Sequence, residues 1–263
     1  MDAERDLREQ VEALGRQIRK HPGHEEHREL GAFERSITAV FLPNLRELLE
    51  LLERASNDPD LAIELIQNLR EPVVRQAFHT DVTQRLHNYL ASVASLVDHV
   101  RNLMRGREGA IAEEFERRKT ILLANPEVPF VKDLRNYTLH RNLPDLGHTV
   151  SMTNVNTPQA TMMSELELGV PDLLEWDGWT APSRKYLESS APSLQLRPVV
   201  KRHGDSMLRL NAWLHHELAK ANESALEEVN ELIIDQNTLL SGGDRDAGRR
   251  KSGWLNVDPK GRA

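Results

Sequence analysis

Residues 73–105 read VVRQAFHTDVTQRLHNYLASVASLVDHVRNLMR and contain no glycine or proline. The large apolar side chains in this stretch recur every three or four positions, which is the period of one face of an α-helix. They are Phe78, Val82, Leu86, Tyr89, Leu90, Val93, Leu96, Val97, Val100 and Met104. The stretch is too long for a strand of a globular protein. It therefore predicts a long helix with one buried side, which ends where Gly106 and Gly109 follow.

The segments on either side repeat this helical pattern. The first twenty residues and residues 31–56 each carry an apolar face at the same spacing, and Pro43 is expected to kink or divide the second of these helices. Asp58 and Pro59 are suited to the cap and first position of a shorter helix that reaches residue 69. Further helices are predicted over about 110–124, 129–142, 196–221 and 226–240, and helical signals return near Pro182.

One segment has a different period. Between Val150 and Leu168 the apolar residues alternate nearly every second position, and Asn156-Thr157-Pro158 supplies a turn. This pattern predicts a β-hairpin. The fold class is therefore all-α: a helical bundle with a small β-hairpin insertion and additional C-terminal helices.

Composition narrows the classes of function. The chain of 263 residues has no cysteine, which excludes thiol nucleophiles, Cys-ligated zinc and iron–sulfur clusters and suits a reducing cytosol. No apolar run reaches the length needed to span a membrane, and the first twenty residues lack the pattern of a signal peptide, so we expect a cytoplasmic protein. The net charge is -7, although residues 241–263 carry six Lys or Arg against three Asp. An acidic body argues against broad binding to duplex DNA.

The segment HPGHEEH places His21, His24 and His27 three residues apart. Pro22 and Gly23 prevent a continuous helix from making these histidines converge, so we interpret the segment as a polar loop and expect no metal and no cofactor. Gly-rich phosphate loops and the HExxH and GxSxG motifs are absent from the sequence.

The segment PFVKDLRNYTLHRNLP, residues 129–144, concentrates polar residues in a predicted helix of just over three turns. Phe130, Leu134 and either Tyr137 or Thr138 account for its core face. The other polar side chains are then left on the opposite side; the polar set is Asp133, Arg135, Asn136, Tyr137, His140 and Arg141.

Here the chain resembles the HEPN superfamily, whose motif is an Arg followed four to six residues later by His, often with a polar residue just after the Arg. RNYTLH matches through Arg135, Asn136 and His140. Arg-x4-His also occurs at Arg16 and Arg19, but only the third instance has Asn after the Arg and long apolar helices before it. The resemblance covers roughly residues 31–145. It implies a helical bundle, usually dimeric, that cleaves RNA without metal, with two copies of the motif facing each other across the dimer.

Such cleavage uses the 2′-hydroxyl of RNA as the nucleophile against the adjacent phosphate, and it needs a proton acceptor or donor and fixed positive charge. On these grounds Arg135, Asn136 and His140 are the expected catalytic residues of an endoribonuclease, and the resemblance suggests the toxin or phage-defence type. Arg141 and Tyr137 are the expected substrate-binding residues. His140 lies in the last turn of its helix, which favours the protonated form and a role as acid or phosphate contact.

Two other interpretations remain open at this point. The motif can be the solvated face of a core helix, with Arg135 paired to Asp133 or another acidic side chain, or the bundle can be a non-catalytic module that binds RNA or protein. The expected partners are RNA, a second copy of the chain and a protein antitoxin, and no membrane. The expected segments are 1–28 (amphipathic helix and His-rich loop), 29–145 (HEPN-like bundle), 146–176 (hairpin), 177–240 (C-terminal helices packing on the bundle) and 241–263 (disordered tail).

Overall fold

The computed structural model describes residues 2–58, 60–61, 72–153 and 161–252. It is all-α with a small β-hairpin insertion, as the sequence predicts, and a third short strand extends the hairpin to a three-stranded sheet. The helices in the described residues are α1 (Asp2–Lys20), α2 (His24–Arg35), α3 (Leu42–Asn57), α4 (Pro72–Leu103), α5 (Ala110–Leu123), α6 (Glu127–His140), α7 (Val170–Leu174), α8 (Ala181–Ser190), α9 (Leu196–Ala221), α10 (Glu223–Leu240) and α11 (Arg245–Ser252). None of these helices combines the length and the apolar character needed to cross a membrane.

Pro43 divides the long helical run without ending it. A π-helical segment, Ser36–Phe41, lies between α2 and α3. Pro43 has no N–H to donate, and the side-chain amide of Asn44 donates to the carbonyl oxygen of Val40 at 2.7 Å. Irregular bonding of this kind is typical of a π segment inside a longer helix.

The helix predicted to follow Asp58 lies almost entirely outside the described residues. Its first turn is visible, because Asp58 Oδ1 accepts the backbone N–H groups of Asp60 and Leu61, both at 3.1 Å. The expected capping role of Asp58 is therefore confirmed.

The His-rich segment is not a loop throughout, and that prediction is wrong from His24 onward, where α2 begins. The turn before it is tight: the N–H of Gly23 donates to His21 Nδ1 at 3.1 Å, and a Cβ on Gly23 would lie 2.4 Å from the carbonyl oxygen of Ala225. Only glycine fits this approach, and the chain resumes a helical course directly after it.

The predicted hairpin consists of β1 (Leu146–Thr153) and β2 (Thr161–Gly169), which pair antiparallel from Leu146 opposite Leu168 to Thr153 opposite Thr161. Its predicted turn at residues 156–158 lies outside the described residues. Leu166 and Leu168 are buried and alternate with half-buried Glu165 and Glu167. A short strand that the sequence does not predict, β3 (Ser193–Gln195), pairs with the other edge of β2.

Two structural units divide the chain. The larger unit comprises Ser36–Asn211 and contains α3 to α8, the sheet and the first part of α9. In it, α3 contacts α4 and β2, α4 contacts α6, and α6 contacts α8. Its largest fully buried side chains include Phe41, Leu48, Leu86, Tyr89, Leu90, Phe130, Leu134 and Leu168.

The smaller unit joins Met1–Arg35 to Ala212–Ala263. It combines the N-terminal and C-terminal parts of the chain. The segments predicted from the sequence keep these two parts separate. Residues 245–252, predicted as part of a disordered tail, form α11 instead. A Cβ on Gly248 would lie 2.4 Å from Thr238 Oγ1, and Arg245 binds Asp235 at 2.8 Å, so α11 packs closely on α10. Residues 253–263 lie outside the described residues.

Candidate functional site

Helix α6 carries the RNYTLH motif and is held in place by a buried face. Val128, Phe130, Val131 and Leu134 on this face are all buried. Glu127 in the first turn is also buried, and its carboxylate accepts a hydrogen bond from Arg202 Nε at 2.6 Å. The helix begins at Glu127 rather than at the predicted Pro129, and Pro126 occupies its cap position.

Asp133 is the second anchor of α6. It is only 2% exposed, and one oxygen, Oδ2, accepts three hydrogen bonds: from Thr180 N at 3.0 Å, Thr180 Oγ1 at 2.5 Å and Ser183 Oγ at 2.6 Å. Thr180 is the cap residue of α8. Asp133 therefore ties α6 to the start of α8 across a separation of 47 residues, where a carboxylate is also favoured by the helix dipole. It makes no ion pair with Arg135.

Tyr137 belongs to an aromatic cluster. Its ring stacks on Trp179 with a centroid distance of 5.7 Å and meets Trp176 edge-on at 5.6 Å. Phe130 also stacks on Trp179, with a centroid distance of 5.7 Å. Burial raises the pKa of Tyr137; three nearby acidic side chains act in the same direction and Arg141 opposes them. The ring of Tyr137 is thus a core element, and only its hydroxyl end is positioned near charged groups.

The remaining motif residues lie on an exposed arc of α6. With about 100° between successive residues, Arg135 and His140 stand at the two edges of an arc of about 140°, and Asn136 lies between them. Arg135 and Asn136 are partly exposed and His140 is exposed. In the described part of the chain, the side chains of these three residues have no hydrogen-bond or ion-pair partner. The structure brings them to one surface but leaves Arg135 and His140 apart from each other.

Lys132 also lies on this arc, and sequence reasoning missed it. It is exposed and precedes Asn136 and His140 by four and eight residues. That i, i+4, i+8 spacing places the three side chains in one stripe. This spacing is visible in the sequence and indicates Lys132 as a member of the surface. The motif itself begins at Arg135 and does not include it.

An open groove lies beyond the C-terminal end of α6. It has a volume of about 880 Å³ and is bounded by α4 on one side and by the segment that follows Arg141 on the other. Among the described residues its lining is mostly neutral and polar and includes Gln76, His79, Thr80, Thr83, Gln84, His87, Asn142, Leu143, Pro144, Asp145 and Leu146. Arg141 is exposed at the end of α6, next to this groove in the chain.

His21, in the turn before α2, and the histidines of α2 do not form a group that could hold a metal ion. His21 Nε2 lies 3.2 Å from a carboxylate oxygen of Glu228, and burial, together with His24 and Arg35, lowers the pKa of His27. Within the described ranges, no group of three or more His, Asp or Glu side chains is arranged to hold a metal ion.

Comparison of the chain with models of known protein families, with curated proteins and with solved structures finds no match. The case for a function therefore depends on the motif and on the geometry of α6.

Proposed function

We propose that the protein is an endoribonuclease whose site is the exposed arc of α6, with Arg135, Asn136 and His140 as its catalytic residues. The observation that carries the proposal is that these three polar side chains share one surface and have no partner among the described residues. Asp133 and Tyr137, two other polar residues of α6, are by contrast bound inside the protein. The helix thus satisfies the polar groups it buries and leaves unpaired those that match the motif.

The arc offers the chemical groups that RNA cleavage needs. The guanidinium of Arg135 presents paired N–H donors that suit two phosphate oxygens and the charge that develops in the transition state. The imidazole of His140 can give a proton to the leaving 5′-oxygen as the bond between that oxygen and phosphorus breaks. The 2′-oxygen forms the new bond to phosphorus and loses its proton to water or to a base. The products are a 2′,3′-cyclic phosphate and a 5′-hydroxyl end.

Lys132 adds positive charge within this arc, and Arg141 adds a second positive charge just beyond the C-terminal end of α6. In an acidic protein, local cations of this kind are needed to draw a phosphate backbone to the surface. Asn136, one turn before His140, can orient the imidazole or donate to a phosphate oxygen.

The test is an RNA cleavage assay with the full-length protein. Arg135→Ala and His140→Ala are each expected to lower the rate on the order of 10²–10³-fold, since each removes one transition-state contact. Both residues are at least partly exposed, so neither change opens a buried cavity, and melting temperature and helicity should remain nearly unchanged. RNA with a single 2′-deoxynucleotide at the cleavage position should not be cut there.

Arg46→Ala and His99→Ala are the matched controls, because both are exposed residues of the same types on α3 and α4. They should retain full activity. If the wild type cuts no RNA, or if His140→Ala cuts as fast as His99→Ala, the proposal is wrong. Tight RNA binding without cleavage would identify a non-catalytic RNA-binding module.

A further inference from the structure

A second groove lies within the larger unit, between α5 and the first part of α9, and the proposed ribonuclease site does not use it. Its volume is about 370 Å³. The residues that line it are Arg117, Arg118, Ile121, Leu122, Asn125, Ser206, Arg209 and Leu210.

The rim of this groove is basic although the chain as a whole is acidic. Its described lining holds three arginines and no Asp or Glu, whereas the net charge of the protein is -7. Glu114 lies behind the rim and accepts hydrogen bonds from Arg117 at 2.6 and 2.7 Å and from Arg118 at 2.7 Å. The Arg117 guanidinium, with Arg118, lowers the pKa of Glu114 to about 2. This shared carboxylate holds the two guanidiniums side by side on α5.

Arg209 forms the opposite rim. Its Nη2 donates to Ser206 Oγ at 3.0 Å, one turn earlier on α9. No carboxylate in the described part of the chain binds its guanidinium. The positive charge of Arg209 therefore faces the groove without an internal counter-ion.

Aliphatic side chains form the floor. Ile121, the most exposed of them, is 60% exposed. Leu122 and Leu210 are partly exposed and complete the apolar strip. The described lining contains no aromatic residue on which a base could stack. Single-stranded RNA is usually gripped by such stacking, so the lining favours aliphatic side chains as the occupant.

We infer that this groove docks an acidic amphipathic helix from a partner protein. Two helices that enclose an apolar floor form the kind of groove into which an amphipathic helix inserts its apolar face at i, i+3, i+4 and i+7. Asp or Glu flanking that face would meet Arg117 and Arg118 on one rim and Arg209 on the other. The partner helix would therefore match the groove in two ways. Its aliphatic side chains would contact Ile121, and its carboxylates would pair with the arginines of the rims.

The test uses a phage-displayed library of random peptides of about 16 residues, long enough for four helical turns. The library is selected on the full-length protein. The expected ligands carry aliphatic residues at helical spacing flanked by Asp or Glu. As synthetic peptides, they should bind Arg209→Glu and Ile121→Ser about tenfold more weakly than the wild type. Binding should also weaken as salt is added, because the rim is exposed.

Arg46→Glu and Val97→Ser are the matched controls, since they make an identical and a closely similar change at exposed positions of α3 and α4. They should bind the peptides as the wild type does. Circular dichroism checks that every variant is folded, and Arg209→Ala and Ile121→Ala replace any that is not. Ligands that are basic, or that bind all variants equally, overturn the inference. It is also overturned if a single-stranded RNA oligonucleotide binds in an Arg209-dependent way and no peptide does, or if the wild type associates with itself through this groove.

Discussion

At the scale of single residues, the pair formed by His203 and Tyr89 makes stability depend on pH. His203 is 1% exposed, and its Nδ1 is hydrogen-bonded to the Tyr89 hydroxyl at 2.6 Å. Burial lowers the pKa of His203 to about 4, from an ordinary value of 6.5. The unfolded chain therefore binds a proton at this residue between pH 6.5 and 4 that the folded chain does not. Unfolding is favoured as the pH falls through that window.

We predict that lowering the pH from 7 to 5 removes about 2 kcal/mol of unfolding free energy through His203. Urea unfolding at the two pH values measures the loss. Between pH 7 and pH 5 the unfolding free energy of the double variant Tyr89→Phe/His203→Leu should fall by about 2 kcal/mol less than that of the wild type, because the imidazole is gone. Tyr89 is changed as well so that its hydroxyl is not left buried and unpaired. His27, His148 and His215, whose pKa values burial also lowers, remain in the variant, so part of the pH dependence is expected to persist.

His99→Gln serves as the control for this pH dependence, since His99 is exposed. It should show the full loss seen in the wild type. A double variant whose stability falls as steeply as that of the wild type would contradict the assignment to His203.

At the scale of helices and strands, the sequence pattern shows which face of an element is apolar but not which other element packs against that face. The apolar period of residues 73–105 and the alternation around Leu166 and Leu168 are local, and both elements form as predicted. The strand β3 has only three residues, too few to show a period. The bonds from Asp133 to Thr180 and Ser183 join two helices far apart in the chain, and nothing near Asp133 indicates them. Of the candidate site, the sequence indicates the exposed arc, but whether Tyr137 faces the core depends on Trp176 and Trp179.

Gly204 shows how one residue sets the approach of two helices within the larger unit. A Cβ at this position of α9 would lie 2.5 and 2.7 Å from the two terminal methyl carbons of Leu45 and 3.2 Å from its Cγ. Leu45, on α3, is 3% exposed, so it has no space into which to rotate. We predict that Gly204→Ala destabilises the protein by about 1–2 kcal/mol, because overpacking outweighs the gain of about 1 kcal/mol in helix propensity.

Gly31→Ala on α2 is the matched control. The nearest atom to its added Cβ would be Arg35 Nη1 at 3.3 Å, at the end of a flexible and exposed side chain. This change should stabilise the protein by about 0.5–1 kcal/mol through helix propensity. Thermal unfolding of both variants therefore gives shifts of opposite sign, and equal shifts would mean that the contact with Leu45 relaxes freely.

At the scale of the whole molecule, the N-terminal helices and the described C-terminal helices belong to one unit that the sequence does not indicate. Gln236 Nε2 donates to the carbonyl oxygen of Val11 at 3.0 Å, and His21 binds Glu228. These contacts join α1 and the turn before α2 to α10 over more than 200 positions. The sequence shows an apolar face on each of these helices, but it does not indicate which helices pack against each other.

The surface of α4 suits a contact between two copies of the chain. From Gln76 to Ser95 the charged residues of α4 are Asp81 and Arg85, which are partly exposed and pair with each other at 2.9 Å; its more exposed residues carry no charge, although Asp, Glu, Lys and Arg make up 29% of the chain. Those exposed residues are Gln76, Ala77, Thr80, Gln84, His87, Asn88, Ala91 and Ser95. Depletion of charge is typical of the central part of a protein interface. Since α6 packs on α4, a two-fold contact there would bring two copies of the motif helix towards each other.

We predict that the protein is a homodimer and that each ribonuclease site takes Arg135 from one chain and His140 from the other. Within one chain these side chains point about 140° apart on α6, so they cannot readily converge on the same phosphate. Arg135→Ala and His140→Ala, inactive alone, should regain about a quarter of wild-type activity after joint refolding, because half of the dimers are mixed and each mixed dimer keeps one intact site. Light scattering over a dilution series measures the dimer independently. A monomer at micromolar concentration, or a mixture as inactive as its components, would place both residues in a site built by a single chain.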